Sequence, residues 1–371
     1  MSSNTTPWSD WSDPQAVYFT VLQAGVPGFA EGVPGVAKSA LHFAFARSIG
    51  LPLVYLIGSC RAPEDFGGLP EPLREEGFVR MMPTEWAHSA RQTRCVVAFD
   101  EFTTMDATKQ APVLSIATEK RVGDTPIHPD TIISACANPP DMATNGTPLS
   151  KAMANRFFHH RWSLDVKKWL EGMIAGMAWV APSYPVLPAS WRDHIPTYSR
   201  LVAGFIRRHP DLLVSVPADD ETLAYPTPRS WTNTALAMAA GHSVGSPAQV
   251  QAAMAEGCVG KTATIEFMSY VRNLDLIDPE SYLDGTKQWS WDSDRHDRNE
   301  AFLSALFVAV KGTPSKERWE RAMDALMSAA ESCPEAALLH LRDALECKPA
   351  RVVPSKGLMA SLAKLRERCS V

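Results

Sequence analysis

The chain has 371 residues, 45% hydrophobic and 21% charged, with 36 Lys and Arg against 41 Asp and Glu for a formal net charge of −5. At roughly 150 residues per domain this allows two or three domains with full cores, which excludes a stapled mini-protein and a disordered chain. The mild acidic excess excludes a general electrostatic footprint for nucleic acid, leaving only a locally basic channel in an assembled ring. Seven cysteines, an odd number with no C-x-x-C pair, fit a reduced, cytoplasmic chain. The start MSSNTTPWSDWSD has neither a basic leader nor an apolar stretch, so no secretory signal is expected. The longest apolar run, Met173 to Ala181, is cut off by Glu171 and Pro182, and no membrane segment is expected.

From Val17 to about Arg161, short apolar β-rich runs alternate with helix-like stretches, the pattern of a parallel sheet covered by helices. The predicted strands are Leu53 to Ile57, Cys95 to Phe99 and Thr131 to Cys136, each nearly all apolar as for strands buried on both faces. Between Leu164 and Leu274 the spacing becomes helical, as in Trp169, Met173, Ile174 and Met177, or Leu201, Phe205 and Ile206. Trp162, Trp169, Trp179 and Trp191 gather at the start of this region, where core or inter-domain packing is their simplest role. Asp278 to Asp297 reads as a long connection, and Asn299 to Val310, Lys316 to Ala330, Pro334 to Glu346 and Lys356 to Arg368 as a final helical layer. The expected division is 1–162, an α/β core; 163–275, helical; and 276–371, a linker with a helical extension.

The most informative stretch is GVPGVAKS: Gly32, Val33, Pro34, Gly35, Val36, Ala37, Lys38 and Ser39, followed by an apolar helical run that opens at Ala40. A glycine-rich turn lets backbone N–H groups converge on phosphate oxygens. The helix adds its positive end, Lys38 a charge, and Ser39 a hydroxyl for magnesium. Ala37 stands where G-x-x-x-x-G-K-[ST] has its second glycine, so the backbone there must tolerate a Cβ. The competing account is a Gly/Pro turn with a chance Lys-Ser.

The run Cys95 to Glu101 is an apolar strand ending in two acids, at the carboxyl end where α/β sheets bind ligands. In that setting Asp100 holds magnesium through water and Glu101 orients or deprotonates the attacking water; otherwise they are two exposed acids at a loop start. The next strand ends in Asn138, which either positions the lytic water or belongs to an Asn-Pro turn. Arg156, near the end of a short helix, is either a surface or helix-end charge or a finger for a neighbouring subunit's γ-phosphate, with Arg161 a weaker second candidate. Arg229 falls in the first turn of a later helix, where phosphate sensing competes with capping geometry. The pair His159-His160, where a helix should leave the core, has no Glu or Cys at ligand spacing and reads as packing or interface, not zinc.

These elements, in this order, resemble the AAA+ ATPases and, within them, the MoxR-type and dynein-related branch, over about Phe19 to Leu274. Alanine before the lysine is a familiar variant in that branch. The resemblance implies an AAA+ P-loop core with a parallel sheet flanked by helices, an all-α lid and a helical C-terminal extension. It implies that Lys38 and Ser39 are Walker A, Asp100 and Glu101 Walker B, Asn138 sensor 1, Arg156 a trans arginine finger and Arg229 sensor 2, with Ser39 and Asp100 serving Mg2+. Ala62 to Pro70 lies where the branch carries its helix 2 insert, and Glu119 to Pro129 looks like its hairpin before sensor 1, although each is equally a surface loop on sequence alone. The implied activity is ATP hydrolysis in a homo-oligomeric ring, a hexamer, that remodels a client protein complex with a von Willebrand factor A-domain partner. The alternatives are a nucleic-acid-linked motor of restriction or clamp-loading type, which the charge disfavours, and a nucleotide-binding scaffold without turnover, against which Glu101 argues.

Overall fold

The computed structural model describes residues 8, 10–139, 142–143, 146–176, 182–219, 221–274 and 276–349. The expected helix Lys356 to Arg368, with Pro140, Met177, Trp179 and Cys369, lies outside them. The chain divides into two compact units, Met1–Ala189 with Asp211–Thr264, and Ser190–Pro210 with Ile265–Val371.

In the first unit α1 (Gln15–Gln23) leads into β1 (Gly28–Glu31), the glycine-rich turn and α2 (Lys38–Ser48). Then come β2 (Leu53–Ile57), α3 (Glu64–Gly67), β3 (Leu69–Leu73), β4 (Phe78–Met82), α4 (Glu85–Gln92) and β5 (Val96–Asp100). They are followed by α5 (Ala107–Glu119), β6 (Arg121–Val122), β7 (Thr125–Pro126), β8 (Ile132–Ala137), α6 (Lys151–Ala154), β9 (Phe158–Arg161) and α7 (Val166–Ile174). After α8 (Ile195–Arg208), which belongs to the second unit, α9 (Pro228–Ser243) and α10 (Ala248–Val259) return to the first. The chain continues through α11 (Lys261–Asn273), α12 (Pro279–Leu283), α13 (His296–Gly312), α14 (Lys316–Ser332), α15 (Pro334–Leu339) and α16 (Leu341–Glu346).

Five strands form one parallel sheet in the order β2-β5-β8-β1-β9, so β1, the turn it feeds and the tips of β5 and β8 are central. Successive side chains alternate between faces. Phe29, Val97, Phe99, Ile133 and Ala135 point into a core with Phe66, Val113, Ile116 and Phe157. On the other face Tyr18 of α1 bonds Ser134 of β8 at 2.7 Å, and the Phe19 and Phe45 rings of α1 and α2 stack at 4.3 Å. The second unit has its own core, in which Phe302, Leu306 and Val310 of α13 meet Trp319, Met323 and Leu326 of α14. This is the α/β fold class expected: a five-stranded parallel sheet flanked by helices, with a helical C-terminal region.

The structure departs from expectation in several places. β2 is half-buried instead of covered on both faces, and it lies at the sheet edge with β5 as its one paired strand among the described residues. His159 and His160 sit within β9, not where a helix leaves the core. The stretch Asp278 to Asp297 contains α12 and the first residues of α13. Pro334 to Glu346 is two helices, because His340, at φ −97° and ψ 0°, turns its side chain in to bond Asp343 at 2.9 Å. The tryptophans do not share one cluster: Trp162 is buried, Trp169 is 51% exposed, and Trp191 is buried in the second unit. Glu119 to Pro129 does form a hairpin, β6 with β7, and β3 and β4 pair as a second. Among the described residues no helix is long and apolar enough to cross a membrane.

Candidate functional site

The turn between β1 and α2 is shaped by two backbone constraints. Gly35 has φ +82°, and Gly32 lies so close to Trp162 that a Cβ would stand 2.7 Å from the Trp162 Cβ. Trp162 also ties the turn down by donating its indole N–H to the Val36 carbonyl at 3.2 Å. Ala37 completes the turn at φ +61°, a conformation that costs a residue with a Cβ.

Lys38 opens α2 nearly buried, and its ammonium donates to the carbonyls of Gly32 at 2.7 Å and Val33 at 3.0 Å and to Asn138 Oδ1 at 2.8 Å. All three ammonium protons are thus used. Burial lowers its pKa from the ordinary lysine value. Ser39 Oγ donates to Asp100 Oδ2 at 3.2 Å. Lys38, Ser39, Asp100 and Asn138 therefore converge at the carboxyl ends of β1, β5 and β8, from positions 100 residues apart in the case of Lys38 and Asn138.

Glu101 follows at φ +54°, again left-handed, with its carboxylate held by the Ser59 hydroxyl. Asp100 accepts from the Glu101 N–H at 2.8 Å, the Cys136 thiol at 3.1 Å, Ser39 and the Tyr55 hydroxyl. Burial pushes its pKa up, but these four donors together hold it below the usual carboxylate value. Behind the turn, His42 bridges the Lys38 carbonyl at 2.7 Å and Ser134 Oγ at 2.6 Å, with Trp162 stacked on its ring. Burial lowers the His42 pKa from the ordinary histidine value.

Beside the turn is a cavity of about 840 Å³, lined by Gly35, Ala37, Ala40 and Leu41, by Asp13 and Ala16 near α1, by Trp169 and Met173 of α7, and by Tyr184. Its size and partly aromatic wall suit a nucleoside-sized ligand. The two arginines form a separate group. Arg156 donates to the Ala152 carbonyl, and Arg229, second residue of α9, reaches Asn155 Oδ1 at 3.5 Å. Among the described residues, Arg156 Nε and Asn155 Nδ2 are buried with no hydrogen-bond partner. Burial first, and then the charge of Arg229, depress the Arg156 pKa, so the two guanidinium groups are neighbours. Arg161 ends β9 exposed.

Sequence reasoning missed Tyr55, Ser59, Cys136 and His42. Tyr55, Cys136 and His42 are polar groups in largely apolar stretches, a pattern that calls for a partner when buried without saying which one, whereas Ser59 is exposed in the turn after β2 and carried no such mark.

No protein-family model and no curated protein matches the chain. Among solved structures the chain is similar to a protein from Cytophaga hutchinsonii ATCC 33406 described as a putative ATPase, at 17% identity, with 70% of this chain and 88% of that one covered and a TM-score of 0.43.

Proposed function

We propose that this chain binds and hydrolyses ATP at the turn between β1 and α2. The observation that carries the reading is the meeting of Lys38, Ser39, Asp100 and Asn138 at adjacent strand tips. The carbonyls and the amide now holding the Lys38 ammonium are exchanged for phosphate oxygens when nucleotide enters. The loop N–H groups and the positive end of α2 complete the grip. The cavity beside Gly35 and Ala37 takes the nucleoside.

Magnesium fits the donor set, because Ser39 and Asp100 present two hard oxygens 3.2 Å apart, close to the spacing of neighbouring ligands around an octahedral ion. When bound it neutralises charge on the phosphate oxygens. Glu101 accepts the proton of the attacking water once it has left Ser59, and Asn138 orients that water.

Arg156, with Arg229 beside it, acts on the nucleotide of a neighbouring subunit in a homo-oligomeric ring, so that assembly gates hydrolysis. Support for this part is the unpartnered Arg156 Nε and the absence of any bond from either arginine to the Lys38 group among the described residues. The resemblance to the MoxR-type branch extends the proposal to a hexamer, a von Willebrand factor A-domain partner and a client protein complex.

Subunit mixing tests the reading. Lys38→Ala should lose nucleotide binding, while Glu101→Gln and Arg156→Ala should bind ATP and turn over at least roughly 100-fold more slowly. A mixture of Lys38→Ala with Arg156→Ala should recover part of the activity. Unchanged ATP affinity in Lys38→Ala contradicts the site, and no recovery at any ratio contradicts the trans arginine.

A further inference from the structure

We propose that Tyr55 is a metal-responsive residue of this site, its hydroxyl competing with a divalent cation for the Ser39 and Asp100 oxygens. The inference rests on the reading of the site as a nucleotide–magnesium site and adds to it a residue on the edge strand β2. Three oxygens form a closed triangle: Tyr55 to Ser39 at 2.7 Å, Ser39 to Asp100 Oδ2 at 3.2 Å, and Tyr55 in hydrogen-bond contact with the same Oδ2. Two hydroxyl protons serve three contacts, so one edge of the triangle is always without a donor.

Asp100 is also full. A carboxylate has about four acceptor positions, and Glu101 N–H and Cys136 Sγ occupy Oδ1 while Ser39 and Tyr55 occupy Oδ2. A cation, or a water on it, that engages Asp100 must therefore displace one donor. The Glu101 N–H is fixed by the backbone, Cys136 is fully buried within β8, and Ser39 is itself a proposed ligand. Tyr55 is the donor free to yield. It is half-buried on an edge strand, and its ring lies against Phe43, which is 53% exposed, with centroids 5.6 Å apart. Once a cation takes a Ser39 lone pair, the Ser39 proton alone serves Asp100 and the triangle no longer needs the phenol.

The experiment is Mn2+ binding, followed by electron paramagnetic resonance, to the full chain carrying AMP-PNP. Tyr55→Phe keeps the ring and removes only the competitor. It should bind Mn2+ roughly threefold to tenfold more tightly, the weight of one hydrogen bond, at an unchanged affinity for AMP-PNP in EDTA. Equal Mn2+ affinity overturns the proposal. Weaker binding also overturns it, and makes Tyr55 a positioning residue that presents the ligands.

Should Tyr55→Phe fail to fold, nitration of wild-type Tyr55 by tetranitromethane, read by peptide mass, gives the same information. It should rise severalfold on going from AMP-PNP with EDTA to AMP-PNP with Mg2+, and an unchanged yield overturns the proposal. If the wild type binds no AMP-PNP under either condition, the nucleotide-site reading fails and this inference with it. Nucleotide binding without any Tyr55 effect fails the inference alone.

Discussion

Two residues of the site hold a backbone conformation that side chains disfavour, Ala37 at φ +61° and Glu101 at φ +54°. For Ala37 the left-handed conformation costs about 1–2 kcal/mol, and replacing it by glycine returns that while adding about 0.4–1 kcal/mol of unfolded-chain entropy. Ala37→Gly is therefore expected to stabilise the first unit by roughly 0.5–1 kcal/mol. Urea unfolding measures it, and a loss of stability would mean that the methyl group contributes packing that outweighs the strain. The Ala37 strain was legible in the sequence, since a glycine is usual there. That of Glu101 was not, because nothing in a strand-end Asp-Glu pair marks the second acid as left-handed. The same contrast runs through the site. Lys38, Ser39, Asp100 and Asn138 were legible because each lies in a local pattern tied to a strand tip. Tyr55, Ser59 and Cys136 were not, since their roles come from side chains meeting across neighbouring strands.

Among the elements, β2, β5 and β8 were found to within a residue or so, because each is an apolar run between turn residues. β1 and β9 were missed: each is four residues long, and the latter reads Phe-His-His-Arg, without the apolar run that marks a buried strand. What makes β9 part of the fold is tertiary. His160 donates to Gln15 Oε1 at 2.8 Å, His159 to the Ala154 carbonyl at 2.8 Å, and α10 packs directly on the strand. That contact is close because Gly257 lacks a side chain: a Cβ there would stand 2.1 Å from Phe158 Cε2 and 2.5 Å from the His159 carbonyl oxygen. A ring can rotate away but a strand carbonyl cannot without moving the sheet. Gly257→Ala should thus cost about 1–3 kcal/mol, toward the upper end, seen as a lower urea midpoint with circular dichroism otherwise retained. A neutral substitution would show that α10 shifts freely over β9.

At the scale of the whole molecule, separate cores in the two units lead us to expect unfolding that is not a single two-state event. Nucleotide at 100 times its dissociation constant should raise the stability of the first unit by about 2.7 kcal/mol, moving one calorimetric transition and leaving the other in place. Acid should act on that same transition. Burial lowers the pKa of His42 and His242 and pushes His159 and His160 down to about 4. The unfolded chain takes up protons on these rings near pH 6.5, and the folded unit takes them up only near pH 4 at β9. The unfolded state thus binds more protons throughout that window. Stability falls as pH drops from about 6.5 toward 4, by roughly 1.4 kcal/mol per pH unit for each ring that stays neutral in the fold. His160→Gln can keep a polar contact to Gln15 without carrying a titrating ring. Its nucleotide-sensitive transition should lose stability on acidification less steeply than the wild type by about one proton's worth. An identical slope would mean that His160 is protonated in the folded unit and that β9 is more open to water than its packing against α10 implies.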